Sequence, residues 1–446
     1  MQHGRHRVAV IGAGWAGCAA AVQATGDGHQ VTLFEAARRP GGRARAVELP
    51  SEGAGPALLD NGQHILIGAY SATLELMARV GVDSRAMLER RPLSLTFPDG
   101  SGLALPAWPA PLDALAGILL ARGWRLVDKL SLLRTAWRWR QQGFSCAPRA
   151  TVDDLCDGLT GRVRAELIEP LCVSALNTPT ASASGAVFLR VLRDSLFGPA
   201  GSSQLLLPRS DLGSLLPVPA LDWLQRHGAT LRLGHRVQRI ARRELGWEVD
   251  DEVFDTLLLA TPPWESARLL EQSGAPAAAW LDLVHGLRYE SITTVYLAGG
   301  KRLMQPMLAL RSDEAAPAQF VFDRGQLGGP EGLLAFVVSA SHGAKVELEA
   351  KVCAQAAAQL GLHDLRPVQT IVEKRATFAC LPGLLRPAQH VLAGLLACGD
   401  YVEGPYPSTL EGAVRSGLRA ARSLGVAAAA STQAETSCLR SCTVQA

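Results

Sequence analysis

The sequence predicts an α/β fold in which helices pack on a mainly parallel sheet. The first observation is a β-type run at residues 8–11, which leads through a glycine-rich turn into an alanine-rich helix and a second strand at 30–34. The second is the apolar run 253–260, which has the continuous hydrophobicity of a strand buried on both faces. The third is a closing strand at 395–398, followed by a helix at 410–424. Strands that alternate with helices form parallel sheets, and this prediction rests on that rule.

The composition is that of a large folded protein without a marked charge. The chain has 446 residues, of which 48% are hydrophobic and 19% charged, so it can bury a core in two or three domains. The formal net charge of +3 gives no reason to expect a nucleic-acid partner. Nine cysteines are dispersed without a CxxC pair. We therefore expect reduced thiols, no disulfide framework and no metal site.

The sequence contains no signal that would direct the protein into or across a membrane. The polar residues 1–7 lead directly into the first strand, so we expect no signal peptide. No stretch approaches 18 uninterrupted apolar residues, so we also expect no membrane-spanning helix. These observations favour the cytoplasm. Residues 427–446 have low complexity, and we expect a disordered tail there. The sequence carries no signal for an oligomeric state.

The turn after the first strand is Gly12-Ala13-Gly14-Trp15-Ala16-Gly17, a GxGxxG pattern. Gly12 permits the tight turn, Gly14 lets a pyrophosphate approach the backbone, and Gly17 lets helix and strand pack closely. The helix N-terminus then offers unpaired N–H groups to the phosphates. Glu35, followed by Ala36, ends the second strand where a carboxylate can bind ribose hydroxyls. Strand, turn, helix and acid together predict a dinucleotide site.

The segment after the second strand indicates which dinucleotide binds, NAD or FAD. Gly41, Gly42 and Arg43 follow the second strand; the glycine pair allows close backbone approach, and the arginine can pair with phosphate. The pattern resembles the GG motif of flavoproteins with two dinucleotide-binding domains, which implies non-covalently bound FAD. The alternative is a solvated basic turn.

A motif near the end of the chain also points to a flavin. Gly399 and Asp400 follow the last strand, and Thr409 and Leu410 begin the last helix. This arrangement resembles the C-terminal FAD signature of the amine oxidase and phytoene desaturase superfamily. The resemblance implies that Gly399 and Asp400 meet the ribityl and pyrophosphate groups, and that the helix N-terminus faces the flavin ring. The predicted cofactor-binding set also includes Val237 and Ala260.

Three further stretches make the resemblance more specific within this superfamily. Residues 60–70, with Gly62, Gln63 and His64, look like the flavin-proximal loop of carotene desaturases and of squalene-associated FAD-dependent desaturases. Residues 169–179 and 187–198 are similar to stretches of the latter, the hydroxysqualene dehydroxylase family. The fold this implies is a Rossmann-type FAD-binding domain of the amine oxidase kind with an inserted α+β substrate domain.

The family resemblance implies a reductive dehydroxylation. An apolar C30 isoprenoid, hydroxysqualene, becomes squalene with hydride from reduced FAD, in squalene or hopanoid biosynthesis. Re-reduction of the flavin requires an external electron donor. Because no second GxGxxG is convincing, we expect either a free nicotinamide such as NADPH or a partner protein.

The departing hydroxyl needs a proton donor, and three residues are candidates. His64 is the first, since it lies in the flavin-proximal loop; the alternative is a histidine that only orients the loop. Glu403 and Tyr406 lie between the last strand and the last helix, where a loop can reach the ring; the alternative for either is a surface role. Asn177 and Glu169 are candidates for lining the substrate pocket, with helix-cap or core roles as the alternative.

The remaining elements follow in chain order, from apolar periodicity and glycine or proline punctuation. We expect helices at 72–82, 112–142, 151–196, 221–227 and 344–361, and strands at 230–233, 236–240, 293–297, 319–322 and 334–339. We assign 1–90, 210–265 and 390–426 to the FAD-binding domain, and 91–209 and 266–389 to the substrate domain.

The stretch 108–140 interleaves apolar residues with arginine. It contains Trp108, Leu119, Leu120, Trp124, Trp137 and Trp139. Such a pattern suits a helix lying on an anionic membrane, and we expect peripheral contact with the inner face of the cytoplasmic membrane. The alternative is a domain helix with snorkelling arginines.

Three rival functions remain open. A carotenoid desaturase or isomerase fits the loop with Gly62 and His64. A flavin amine oxidase fits less well, because that family commonly places an aromatic residue where this chain has Thr409. A non-enzymatic prenyl-lipid carrier of this fold is disfavoured by the intact set of Gly12, Glu35, Gly42 and Asp400.

Overall fold

The structure is a computed structural model that describes residues 6–49, 57–108 and 111–424. The tail expected at 427–446 lies outside the described residues. The helices are α1 (Trp15–Gly26), α2 (Ser71–Arg79), α3 (Ser84–Met87), α4 (Leu112–Leu120), α5 (Leu126–Gln141), α6 (Val152–Leu155), α7 (Gly161–Val163), α8 (Glu169–Leu176), α9 (Gly185–Leu196), α10 (Leu212–Leu215), α11 (Pro217–Arg226), α12 (Pro263–Ser273), α13 (Ala278–His285), α14 (Lys345–Leu360) and α15 (Leu410–Arg422).

The strands are mostly short. They are β1 (Arg7–Ile11), β2 (Gln30–Glu35), β3 (Ala46–Leu49), β4 (Ala57–Asp60), β5 (Leu66–Ile67), β6 (Leu88–Arg91), β7 (Ser94–Thr96), β8 (Gly102–Ala104), β9 (Leu205–Pro208), β10 (Thr230–Leu233), β11 (Ile240–Arg243), β12 (Gly246–Val249), β13 (Glu252–Phe254), β14 (Thr256–Leu259), β15 (Tyr289–Ala298), β16 (Met307–Ala309), β17 (Phe320–Asp323), β18 (Leu334–Ser339), β19 (Arg366–Phe378), β20 (His390–Leu392) and β21 (Leu395–Ala397).

A sheet of six strands, in the order β10-β2-β1-β14-β21-β20, forms the centre of the described fold. Its first five strands run parallel, and β20 pairs antiparallel with β21. The inner strands β1 and β14 are apolar and buried because helices cover the sheet. Helix α1 also packs against α15, where a Cβ on Gly417 would overlap the carbonyl oxygen of Ala16. This architecture confirms the predicted α/β fold class.

A second sheet, in the order β16-β17-β18-β15-β19, is antiparallel throughout. Helix α14 packs beside β19. Strand β19 was not predicted from the sequence; most of its positions are exposed or half-buried, and it carries Arg366, Glu373, Lys374 and Arg375. Only one face of an edge strand is buried, so its apolar signal is weak.

Three predicted elements are wrong in detail. The strand expected at 236–240 begins at Ile240, because the backbone N–H groups of Gln238 and Arg239 donate to the Asp250 carboxylate instead of pairing in a ladder. The single strand expected at 253–260 is split at Asp255, so that β13 pairs with β12 while β14 pairs with β1. The helical stretch at 112–142 is likewise divided, with Gly123 in a left-handed conformation between α4 and α5.

The central sheet draws its strands from residues 7–35, 230–259 and 390–397, and the second sheet from 289–378. The exact domain boundaries stay a prediction. Within the described ranges, no helix is both long and apolar enough to cross a membrane. The same residues contain no cluster of histidine, cysteine and acidic side chains that could hold a metal ion.

Candidate active site

A cavity of about 690 Å³ opens where the parallel strands of the central sheet end. Residues directly following β1, β2, β14 and β21 line it, and side chains from β17 and β18 of the second sheet close the opposite side. Ligands of open α/β sheets bind at this carboxyl edge of the strands. The volume falls within the range of small-molecule and cofactor sites.

The GxGxxG turn and the GG segment form one backbone cradle in this cavity. Gly14 bridges with Gly41, and the Gly41 N–H donates to the Ala13 carbonyl at 2.9 Å. Gly42 has φ +64°, a conformation that favours glycine. A Cβ built on Gly14 would have only the Gly42 Cα, at 3.9 Å, as a neighbour. The open space over Gly14 is therefore bounded by backbone and fits the pyrophosphate of a dinucleotide.

The first glycine and the last glycine of the fingerprint have packing roles. Gly12 has φ +108°, and its N–H donates to the Phe34 carbonyl at 2.7 Å. Gly17 faces away from the cavity, and a Cβ there would overlap the carbonyl oxygen of Gly12. Helix α1 begins at Trp15 without a side-chain cap, so its N-terminus remains available to an anion.

Glu35 ends β2 at the rim of the cavity. Its two carboxylate oxygens accept hydrogen bonds from the backbone N–H groups of Ala13, at 2.7 Å, and Ala37, at 2.8 Å. These bonds hold the carboxylate still, and each oxygen keeps lone-pair capacity for a further donor. The arrangement fits ribose hydroxyls and disfavours an additional phosphate.

Arg43 and Asp400 connect the GG segment with the C-terminal motif. The Arg43 guanidinium forms an ion pair with the Asp400 carboxylate and donates to the Ala376 carbonyl at 3.0 Å. Asp400 also accepts a hydrogen bond from the Ser408 hydroxyl. All three side chains line the cavity. The prediction that Arg43 pairs with phosphate stays a prediction, because its charge is already matched here by Asp400.

Helix α15 begins at the cavity. Thr409 is its N-cap, with a side-chain oxygen that accepts from the Gly412 N–H at 3.0 Å, and Thr409 and Leu410 line the cavity. The buried Glu411 accepts from the N–H groups of Ala72 and Thr73 and so caps α2 from outside that helix. The positive end of the α15 dipole faces the cavity, where it favours negative charge.

Of the predicted cofactor residues, the structure brings all but Ala13 and Gly17 to the cavity wall. The residues on the wall are Gly12, Gly14, Trp15, Ala16, Glu35, Ala36, Gly41, Gly42, Arg43, Gly62, Gln63, His64, Val237, Ala260, Gly399, Asp400, Thr409 and Leu410. Ala13 and Gly17 lie behind the wall, where they support it. This set fits FAD; their direct contacts with the cofactor stay a prediction.

His64 lies on the wall but is poorly suited to donate a proton. Its Nδ1 lies 3.0 Å from the Gly62 carbonyl oxygen, so Nδ1 must carry a hydrogen. Burial lowers the pKa of this imidazole, although the hydrogen bond to Gly62 opposes that effect. A neutral ring with its proton on Nδ1 has a bare Nε2. The geometry therefore favours the orienting role that was the alternative for His64.

Tyr406 is on the cavity wall, and its hydroxyl donates to Asp194 Oδ2 at 2.9 Å. Arg190 Nε donates to the same oxygen at 2.7 Å. Burial opposes ionisation of Asp194, but the hydrogen bonds from Arg190 and Tyr406 outweigh it and lower the pKa of this carboxyl. Burial first, and Asp194 second, raise the pKa of the Tyr406 phenol. At neutral pH the pair is thus a carboxylate and a protonated phenol.

Two of the predicted site residues lie outside the cavity wall. Glu403 is exposed and does not line the cavity; its backbone carbonyl accepts from Arg419 at 2.7 Å. Glu169 is also exposed and absent from the wall, whereas the buried Asn177 is part of it. The position of Glu403 therefore does not favour its predicted catalytic role, because the side chain is exposed outside the cavity. The sequence analysis missed Asp194, although it lies within the stretch 187–198.

Much of the remaining cavity wall is apolar. Its aliphatic and aromatic members include Ile65, Ile67, Leu93, Leu171, Val173, Phe188, Val191, Leu192, Leu196, Leu205, Ile292, Phe320, Phe322 and Val337. Most of these side chains come from the flavin-proximal loop, α8, α9, β9 and the second sheet. Polar residues also line the cavity, among them Ser174, Asn177, Ser195, Ser339 and Thr377. The apolar part of the wall suits a hydrocarbon.

Asp60, at the start of the flavin-proximal loop, gives the protein a pH-dependent stability. Burial raises the pKa of this carboxyl to about 7, although the hydrogen bond from the Leu212 N–H, at 2.8 Å, and the charge of Arg324 lower it. In the unfolded chain the pKa returns to about 3.8. The folded state therefore binds the proton more tightly, and the free energy of unfolding falls as the pH rises from about 4 to 7.

We expect Asp60→Asn to remove that loss of stability, which amounts to at most about 4 kcal/mol for a pKa difference of three units. Urea denaturation at pH 5 and pH 7.5 measures it, with the exposed Asp222→Asn as the control. An Asp60→Asn protein that loses as much stability between these pH values as the wild type does would contradict the assignment.

Comparisons with known proteins agree with this site. Residues 15–424 match the family of flavin containing amine oxidoreductases. The chain is 27% identical to a hydroxysqualene dehydroxylase of Sinorhizobium fredii, over 93% of this chain and 97% of that protein. It is 26% identical to a hydroxysqualene dehydroxylase of Rhodopseudomonas palustris, with the same coverage.

Other matches are shorter or structural. A hydroxyneurosporene desaturase of Rhodobacter capsulatus is 38% identical but aligns with only 28% of this chain and 26% of its own length. The crystal structure of cyclohexylamine oxidase from Brevibacterium oxydans superposes with a TM-score of 0.66 at 18% identity, over 95% of this chain and 99% of that one. The protein is an FAD-dependent oxidoreductase and belongs to the flavin containing amine oxidoreductase family.

Proposed function

We propose that this protein converts hydroxysqualene to squalene, as a step in squalene or hopanoid biosynthesis. The observation that carries the proposal is the apolar wall beyond the cofactor cradle, which suits a C30 hydrocarbon with a single polar group. The two hydroxysqualene dehydroxylases that align over almost the whole chain support the same substrate.

The reaction breaks one carbon–oxygen bond and forms one carbon–hydrogen bond. Reduced FAD, when bound, supplies the hydride, and the hydroxyl leaves as water once it has received a proton. An external reductant, for which NADPH is the first to test, restores the flavin. The apolar wall serves this chemistry because it keeps water from an allylic carbon that develops positive charge.

Tyr406 is the residue best placed to give the proton. It is protonated at neutral pH and lines the cavity. Its single hydroxyl proton points at Asp194, so giving that proton to the substrate requires the hydroxyl to rotate about the ring C–O bond. The guanidinium groups of Arg190 and Arg415 lie 5.5 and 5.6 Å from the Tyr406 ring centre. These cations partly offset the burial and the Asp194 charge, which disfavour the phenolate that remains after proton transfer.

The experiment is an anaerobic single turnover. Purified, FAD-loaded protein is reduced, mixed with hydroxysqualene and analysed for squalene by gas chromatography–mass spectrometry. We expect squalene in an amount stoichiometric with reduced flavin and none with oxidised flavin. A yellow, reducible protein that forms no squalene would overturn the proposal.

A carotenoid desaturase is the second candidate, favoured by the local match with hydroxyneurosporene desaturase. The two reactions change the oxidation state of the flavin in opposite directions. A desaturase reduces oxidised FAD when it receives a carotene, whereas the proposed enzyme oxidises reduced FAD when it receives the alcohol. Bleaching of oxidised flavin by phytoene under anaerobic conditions would therefore favour the second candidate.

A further inference from the structure

Helices α4 and α5 expose an unusual amount of apolar surface. Leu120, Leu126 and Trp137 are 67%, 70% and 66% exposed. Scattered apolar residues on a surface need no explanation, but a contiguous patch marks an interaction site. We call this patch the docking face; its members are Leu112, Leu115, Leu119, Leu120, Leu126, Val127, Leu130 and Trp137.

The exposure follows from the helical repeat and not from a poorly packed helix. On α5, Leu126, Leu130 and Trp137 share one side, at spacings of four and seven residues. The opposite side packs into the protein through Asp128, Ser131, Leu132, Thr135 and Trp139. Lys129 Nζ donates to the Leu119 carbonyl at 2.6 Å and ties α5 to the end of α4.

The structure corrects part of the sequence prediction for 108–140. Trp124 and Trp139 are buried and do not belong to the face; Trp124 Nε1 donates to Glu166 at 2.8 Å. Trp108, Leu119, Leu120 and Trp137 are exposed as expected.

The exposed charges carried between residues 112 and 141 have one sign. Between residues 112 and 141 the chain carries six cations, Arg122, Arg125, Lys129, Arg134, Arg138 and Arg140. The acids in this stretch are Asp113 and Asp128, and both are buried. An apolar face bordered by exposed arginines matches the interface of an anionic bilayer, where apolar side chains enter the acyl boundary and cations bind headgroups.

A second cavity lies beside the start of α4, the helix that carries part of the docking face. It has a volume of about 260 Å³, and the exposed Trp108 and the buried Asp113 are among its lining residues. Ser195 and Ser203 line both this cavity and the main one. The Ser203 hydroxyl donates to Asp113 Oδ2 at 3.2 Å. This hydrogen bond joins a residue that lines both cavities to a residue that lines only the second one.

We propose that the docking face binds an anionic lipid bilayer and that the second cavity is the route by which a membrane-dissolved substrate reaches the main cavity. The route rests on the function proposed above, whereas bilayer binding does not. A second copy of the chain fits the face less well, because a symmetric contact would bring the two sets of arginines together.

Vesicle flotation tests the docking face without substrate or turnover. We expect wild-type protein to float with phosphatidylcholine vesicles containing 30% phosphatidylglycerol and to float less with pure phosphatidylcholine. Leu126→Asp/Leu130→Asp should weaken binding at least about tenfold, because two exposed leucines lose their burial in the bilayer. Arg122→Glu/Arg134→Glu should abolish the preference for the anionic vesicles.

The matched control is Leu245→Asp/Val346→Asp, which places the same charges at exposed apolar positions away from the face and should bind as the wild type does. Circular dichroism checks that all variants fold. Wild-type protein that binds neither kind of vesicle, or a leucine variant that binds as strongly as wild type, would overturn the docking proposal. The proposal would also be overturned if light scattering showed a wild-type dimer that the leucine substitutions convert to a monomer.

Ala200→Trp tests the route, because Ala200 is an exposed residue that lines the second cavity. We expect this variant to bind vesicles normally and to turn over vesicle-borne hydroxysqualene at least about tenfold more slowly, since the indole fills the passage. Unchanged turnover would overturn the route. If wild type binds vesicles but forms no squalene, the function proposed above fails while the docking face stands.

Discussion

Replacing Tyr406 with phenylalanine is expected to reduce squalene formation by about 100-fold or more, the usual contribution of a general acid. The phenol is the protonated donor on the cavity wall, and phenylalanine preserves the ring while removing the proton. FAD content should not change, because Tyr406 pairs with Asp194 on α9 and not with the cradle formed by Gly14 and Gly42. Single-turnover flavin oxidation measures the effect.

The pH profile separates this role from a structural one. Because the acid must be protonated and the pKa of Tyr406 lies above its usual range, the wild-type rate should stay level through neutral pH and fall under alkaline conditions. The residual rate of Tyr406→Phe should lack that alkaline fall. Asp194→Asn should lower the rate less than Tyr406→Phe does. The substitution removes the charged partner of the Tyr406 hydroxyl, but the phenol and its proton remain.

Glu403→Gln is the control for Tyr406, because Glu403 belongs to the same loop but is exposed outside the cavity. We expect it to turn over as the wild type does. A Tyr406→Phe enzyme with an undiminished rate would exclude the phenol as the acid. If His64→Gln abolished turnover at the same time, the acid would have to be His64 as the doubly protonated imidazolium, which donates from Nε2 while Nδ1 keeps its bond to Gly62.

Replacing Gly14 with alanine is expected to deprive the protein of FAD while leaving its fold intact. The nearest atom to the added methyl group is the Gly42 Cα at 3.9 Å, so the protein itself has room for it. The methyl group instead occupies the space over the cradle that fits the pyrophosphate. Overpacking of about 1–3 kcal/mol corresponds to a loss in FAD affinity of roughly 5- to 150-fold.

Flavin absorbance of the purified protein and titration of the apoprotein with FAD measure this loss. Gly161→Ala is the matched control: this glycine lies in α7, far along the chain from the cradle, and an added methyl group meets nothing within 4 Å. Its FAD content should equal that of the wild type. Full FAD occupancy in Gly14→Ala would show that the cofactor does not approach the backbone at that position.

The cofactor end of the site could be read from the sequence because its determinants are local. Gly12, Gly14, Gly17 and Glu35 act through a turn, a helix N-terminus and a strand end that lie within 24 residues of one another. Each requires a particular residue type for a backbone reason, such as the positive φ of Gly12. The structure places these residues where the pattern predicts.

Predictions from shorter or weaker patterns were less successful. Glu403 and Tyr406 lie three residues apart in one loop, and nothing in the sequence distinguishes them. Loop direction is decided by contacts such as the hydrogen bond from Arg419 to the Glu403 carbonyl. The edge strand β19 was missed for a related reason, since its charged, half-exposed sequence lacks the apolar run of β14.

The sequence alone thus determined the fold class, the flavin cradle and the family, because turns, caps and helical periodicity act between near neighbours. Tertiary structure alone decided how residues from distant parts of the chain meet at the cavity. Tyr406 meets Asp194 across 212 residues, and Glu411 caps α2 from a helix 338 residues further along the chain. Helix rotation likewise decided that Trp137 is exposed and Trp139 buried. Such pairings depend on how separate elements pack, and no local pattern records them.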